Sequence, residues 1–110
     1  MDSNIKKFSP LTEATYYILL ALVEPLHGYG IIKKVEEMSN GRVRLAAGTL
    51  YGAIKTLLEN DLIILIGEDK ENKRRKLYQM TEDGRILMNY EIKRLQEMVN
   101  NGLEEIGGQL

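Results

Sequence analysis

The chain has 110 residues, 44% of them hydrophobic and 28% charged, with a net charge of −1. That is the composition of one globular domain, too short for two, and its bulk charge calls for neither a polyanion nor a membrane surface. With no cysteine and one histidine, a disulfide scaffold, a thiol nucleophile and a histidine- or cysteine-based metal site are excluded. The longest apolar run, residues 18–23, falls far short of the roughly 20 residues of a membrane span. Residues 1–10 carry lysines but no apolar stretch before a small-residue cleavage site, so no signal peptide and a cytoplasmic location are expected.

In chain order, a first helix is predicted from a cap at Ser9, with Pro10 at the first helical position, or from a cap at Thr12. It runs to about residue 24, where Pro25 stops it. It is apolar nearly all round, so the side carrying Ile18 is expected to meet a partner subunit. After the tight connection at residues 26–30, with His27 as a turn residue, a second helix is expected over about 29–39. Tyr29, Ile32, Val35 and Glu36 follow its spacing, and Asn40-Gly41 ends it. Residues 42–45 alternate basic and apolar and read as a very short strand, with Arg42 and Arg44 on one side.

A third helix is expected over about 48–60, with Leu50, Ile54, Leu57 and Leu58 as its apolar stripe. The opposite face is small and hydroxyl-bearing: Gly48, Thr49, Gly52 and Thr56, with Lys55 as its cation and Tyr51 on its flank. Residues 62–66 read as a buried strand, 67–73 as a loop and 76–80 as a return strand. Lys73, Arg74, Arg75 and Lys76 line the tip and return arm. Thr81 caps a last helix that Glu82 and Asp83 favour through the dipole, running to Ile106 before Gly107-Gly108. Met88, Ile92, Leu95, Val99 and Ile106 form a heptad seam with Gly102 in the missing place. A helix of about 37 Å cannot be covered by so small a domain, and dimerisation is the expected burial.

The charge is uneven: residues 41–80 carry a net +3 and residues 81–110 a net −3. The order helix, helix, short strand, helix, strand, basic loop, strand, helix is that of a winged helix–turn–helix with one extra helix. The expected class is α+β, mostly α. Residues 1–80 form the DNA-binding part and residues 81–110 the dimerisation helix of one compact unit. A slim third helix suits a major groove about 12 Å wide. Flanking cations neutralise phosphates, and a dimer repeats the unit at a half-site spacing of about 34 Å.

Four segments carry a family resemblance: residues 11–22, His27-Gly28-Tyr29-Gly30-Ile31, Gly48-Thr49-Leu50-Tyr51, and Arg74-Arg75-Lys76-Leu77-Tyr78 through Thr81-Glu82-Asp83-Gly84. In this order the chain resembles PadR-family transcriptional regulators over essentially its whole length, in the branch with a short C-terminal helix. The resemblance implies a homodimer on a palindromic operator, usually a repressor, in several members released by a small aromatic or drug-like molecule near the dimer interface. The chain departs from the family pattern at Ala46-Ala47, where Ser-Pro is usual, which leaves Thr49 as an alternative cap. It departs again at Asp61, where glycine is usual.

Each feature has a plainer explanation. Tyr51 could pack at the helix edge, and Lys73 to Lys76 could only solubilise a hairpin. Lys33 and Lys34 could be solvated surface, although Lys33 stays among the DNA-facing candidates. Tyr16 and Tyr17, facing Leu95 and Val99, are a candidate pocket for a planar effector or simple dimer packing. The competing classes are a winged-helix module that binds protein instead of DNA, and unspecific DNA compaction, which the acidic ends disfavour. No nucleophile–base set, phosphate loop or metal cluster supports an enzyme, and no cofactor is expected.

Overall fold

The computed structural model describes residues 3–71 and 75–107. It contains α1 (Ser3–Lys6), α2 (Glu13–Ala21), α3 (Gly28–Met38), α4 (Ala47–Glu59), β1 (Ile63–Glu68), β2 (Lys76–Met80) and α5 (Glu82–Ile106). Lys73 and Arg74 lie outside the described residues. The core gathers Ile18, Leu19 and Leu22, Ile31 and Val35 of α3, and Leu50, Ile54 and Leu57 of α4, closed by Leu62, Ile63, Leu87 and Met88.

Of the two start signals for α2, Thr12 is the cap: its hydroxyl accepts from the Thr15 amide at 3.2 Å. Ser9 instead donates to Glu91 Oε2 at 2.7 Å, and the Leu11 amide also donates to Glu91, so residues 9–11 are fastened to α5. The helix ends at Ala21, earlier than expected, because the residues leading into Pro25 turn away from helical geometry. α1, with Ile5 buried, is a short turn that the sequence did not announce.

α3 is capped by His27, whose Nδ1 accepts from the Gly30 amide at 3.1 Å. Its buried positions are Gly28, Ile31 and Val35; of the expected set Val35 is buried, Ile32 and Glu36 are half-buried, and Tyr29 is 66% exposed. The helix ends with Asn40 and Gly41 both at positive φ. Residues 42–45 are not a strand. The backbone of Tyr78 on β2 is bridged instead by Leu26, at 2.9 and 3.1 Å. The two arginines thought to alternate along that strand pair with acids: Arg42 with Glu13 at 2.7 Å and Arg44 with Glu36 at 3.2 Å.

α4 buries Leu50, Ile54 and Leu57, as its stripe predicts. Ala46 stands at its N-cap without a side-chain bond, so Thr49 is inside the first turn and does not cap. Asp61 takes the left-handed conformation, φ 58°, that ends the helix turn. β1 and β2 pair antiparallel, Ile63 opposite Met80 and Glu68 opposite Lys76, with an irregularity between Leu65 and Gly67. β1 is not the buried strand its composition suggests. Leu62 and Ile63 are buried, but Ile64, Leu65 and Ile66 are 52, 45 and 46% exposed, because the hairpin projects beyond the helices that cover its base.

Thr81 caps α5, accepting from the Gly84 amide at 3.1 Å and donating to the Asp61 carbonyl at 2.6 Å. The helix runs its full expected length and ends on Gly107 at φ 71°. Its first half packs inward through Gly84, Leu87, Met88 and Glu91. Its second half leaves the body, and the molecule extends 53 × 33 × 21 Å. Two residues assigned to a dimer contact therefore belong to the protomer's own core: Ile18 is 1% and Met88 3% exposed. The helices around them bury these side chains before any partner arrives.

Candidate nucleic-acid interface

The outer face of α4 is open. Gly48, Thr49, Tyr51, Gly52, Lys55 and Thr56 are all exposed, and an added Cβ at Gly48 or Gly52 would meet nothing within 4 Å. This helix can therefore approach a surface more closely than one bearing side chains at every position. The Thr56 hydroxyl donates to the Gly52 carbonyl at 3.2 Å, which leaves its lone pairs as acceptors. Tyr51 leans back over the start of α3. A Cβ at Gly28 would collide with its hydroxyl and come within 2.9 Å of Cζ, so a larger residue there would push the exposed Tyr51 ring aside.

Beside α4, the described wing cations Arg75 and Lys76 are exposed, as is Lys33 on α3. Arg42 and Arg44 are also exposed, but each is held by the acid named above. The Glu13 hydrogen bond and charge raise the Arg42 pKa further above its ordinary value.

Between the start of α3, Tyr51 and β2 lies a crevice of about 380 Å³. Arg75 Nη1 reaches to 3.3 Å from His27 Nε2, and Asp69 Oδ2 stands 3.8 Å from the same nitrogen. The crevice floor is Tyr78, 7% exposed. Burial, then the neighbouring Tyr51, push its phenol pKa up. Sequence reasoning missed His27, Tyr29 and Tyr78 as parts of this surface. The available signal was the inward phase of Tyr78 on a strand whose neighbours are cationic.

A second cavity, about 280 Å³, lies between α2 and α5 and is lined by Leu11, Glu13, Tyr16, Tyr17, Glu91, Arg94 and Leu95. The two tyrosine rings meet edge to face at 5.8 Å. The structure thus brings together Tyr16, Tyr17 and Leu95 of the expected effector pocket. Val99, farther along α5, does not line it and is 59% exposed. At the cavity wall Glu91 is fully buried. Burial alone would raise its pKa, but hydrogen bonds from Arg94, the Leu11 amide and Ser9 outweigh that and hold it at about 2. Arg94 grips both carboxylate oxygens, Nε at 2.7 Å and Nη2 at 3.1 Å. Among the described residues, no three potential ligands cluster in a way that would hold a metal ion.

Residues 18–89 match the model of the transcriptional regulator PadR-like family. The chain belongs to the PadR-like family. It is a family of DNA-binding transcriptional regulators, not of enzymes. No curated protein sequence matches the chain.

The fold of this PadR-like chain is similar to several solved structures. One is a PadR family transcription regulator from Clostridium difficile R20291, with 21% identity, TM-score 0.68, and coverage of 88% of this chain and 100% of that one. Another is a transcriptional regulator from Clostridium thermocellum, with 21% identity, TM-score 0.64, and coverage of 93% and 96%. A third is BpsR of Bordetella bronchiseptica, whose DNA binding is regulated by 6-hydroxynicotinic acid, with 20% identity, TM-score 0.68, and coverage of 90% and 68%. These neighbours support a winged helix–turn–helix with a long C-terminal helix. Among the described residues of the PadR-like chain, no helix is long and apolar enough to cross a membrane.

Proposed function

We propose that the chain is a homodimeric repressor that reads a palindromic operator and is released by a small aromatic ligand. The observation that carries the DNA-reading part is the open face of α4 beside exposed cations. Gly48, Thr49, Gly52 and Thr56 enter the major groove, Tyr51 and Lys55 flank it, and Lys33 and Lys73 to Lys76 take backbone phosphates. Arg42 and Arg44 join them by exchanging Glu13 and Glu36 for phosphate. The dimer forms through Ile92, Leu95, Val99 and Ile106, of which Ile92, Val99 and Ile106 are exposed in the protomer. The ligand occupies the cavity between α2 and α5, whose tyrosine wall offers a face for stacking. A neighbour of the same fold whose DNA binding responds to 6-hydroxynicotinic acid supports this assignment.

The test is fluorescence anisotropy on the duplex upstream of the chain's own gene and on a scrambled duplex, at several salt concentrations. A preference of at least about a thousandfold for the native duplex is expected of a specific regulator. The exposed Ile64, Leu65 and Ile66 favour one second reading, a module that binds protein through its wing. Equal, weak binding to every duplex, with no enrichment in a genome-wide selection of bound fragments, would establish that reading instead.

A further inference from the structure

α5 serves two tasks, and one carboxylate stands where they meet. Its first half packs on the protomer's own core, and Glu91 is the last of its buried residues. From there to Ile106 the helix is half-buried or exposed, and it runs about 22 Å at about 1.5 Å per residue. Glu91 is 0% exposed and is the one charged side chain among the buried described residues. Its two oxygens reach across to the segment that leads into α2: Oε2 accepts from the Ser9 hydroxyl at 2.7 Å and Oε1 from the Leu11 amide at 2.6 Å. Arg94, three residues on, donates to the same two oxygens, which balances the charge and fixes the plane of the carboxylate. An apolar residue would fill this place without the cost of burying a charge, and such replacements are often neutral or stabilising. What an apolar contact does not supply is direction: it tolerates sliding, whereas these bonds hold at one distance and one angle.

We propose that Glu91 is a positioning residue: by fastening α5 to residues 9–11 at its last buried turn, it fixes the angle between the dimerisation helix and the DNA-reading body, and with it the half-site spacing that the dimer accepts. The inference rests on the reading as a homodimer on a palindromic operator and deepens it. In a two-fold dimer the two α4 helices are tied to each other through the two copies of α5, so any play at this joint is counted twice. A tilt of about 10° at Glu91 moves the far end of α5 by about 4 Å, more than the rise of one base pair, about 3.4 Å. A joint that loose accepts half-sites one base pair out of register, and a fastened joint rejects them. Arg94 acts through Glu91, by keeping the carboxylate charged and turned toward Ser9 and Leu11.

The test uses the whole chain and the tightest duplex selected from a random-sequence pool, remade with one base pair added or removed between its half-sites. Wild type should lose about tenfold in affinity at each altered spacing, the scale of a mismatched site. In Glu91→Gln and in Arg94→Lys that loss should shrink to about threefold, half of it on a free-energy scale, with affinity for a single isolated half-site unchanged. Ser9→Ala, which removes one bond and leaves the buried pair intact, should fall between. A purely structural role would lower the melting temperature of Glu91→Gln and leave the spacing profile as it is, and that result would overturn the proposal. A second arm needs no DNA. The chain has no cysteine, so spin labels go onto Glu37→Cys and Asn101→Cys, both at exposed positions, with excess unlabelled protein to keep one labelled protomer per dimer. The distance distribution between the labels should be narrow with Glu91 and broader with Glu91→Gln, and equal widths remove the joint. If wild type prefers no spacing, the palindrome reading fails on its own account. The distance widths then decide whether Glu91 sets the angle of α5.

Discussion

A Cβ at position 84 would collide with the Leu62 carbonyl oxygen and stand 2.7 Å from Met80 Cγ. Backbone on one side and core on the other leave little room to yield. Gly84→Ala should cost about 1–3 kcal/mol, the range for overpacking, measured by urea denaturation. Gly52→Ala should do the reverse. Its site is open, and an exposed helical glycine gains about 1 kcal/mol on becoming alanine, while the added methyl thickens the face offered to DNA. A higher melting temperature with weaker operator binding is expected, and equal binding would remove Gly52 from the interface. At Glu91 the argument concerns pH. Its carboxyl titrates at about 2 in the fold, against an ordinary 4.5. The carboxylate therefore stabilises the fold fully above about 4.5, and this contribution drains away as pH falls toward 2. Melting temperatures from pH 6 to 2 should drop more steeply for wild type than for Glu91→Gln, whose curve starts lower and flatter.

The elements divide by how local their causes are. The α4 stripe, the Asn40-Gly41 stop and the Thr81 cap were legible because each depends on neighbours within a turn or two. The expected strand over residues 42–45 failed because pairing is not local. Its alternation was real, but Leu26 bridges β2, and the arginines had acids to meet on α2 and α3. The same limit explains Ile18 and Met88: heptad and all-round patterns say that a residue is buried, not whether its own protomer or another copy buries it. Likewise a run of Leu and Ile says strand without saying that the strand stands clear of the core. The crevice escaped notice because Tyr78, Tyr51 and the start of α3 converge only in three dimensions. For α5 the expected outcome is specific. Met98, Val99, Leu103 and Ile106 are 57, 59, 43 and 44% exposed. Val99→Glu should shift the chain toward monomer in sedimentation without unfolding it, since the side chain is exposed and outside the protomer's core. A monomeric wild type would remove the dimer.

Over the whole molecule, charge is sorted along the fold, with a positive middle third and a negative α5 end. Replacing Lys73, Arg74, Arg75 and Lys76 by alanine should lower the slope of log affinity against log salt by between three and four, at about 0.9 per phosphate released from contact. Titrations at four or five ionic strengths read this directly. A slope unmoved by the change would mean that the wing stays off the backbone. The preference for operator over scramble should change much less, because the lost contacts carry little sequence information.

β1 has a further consequence. Its outer backbone pairs with no other strand among the described residues, and three consecutive apolar side chains stand exposed on it. Such an edge is a template on which another chain can add a strand, the first step toward fibrillar aggregation. The sequence that follows answers it: Gly67 at φ 146° skews the strand, and Glu68 and Asp69 place charge where an incoming chain would extend the ladder. These residues act as gatekeepers: a bend and two carboxylates at the end of the wing oppose the addition of another strand.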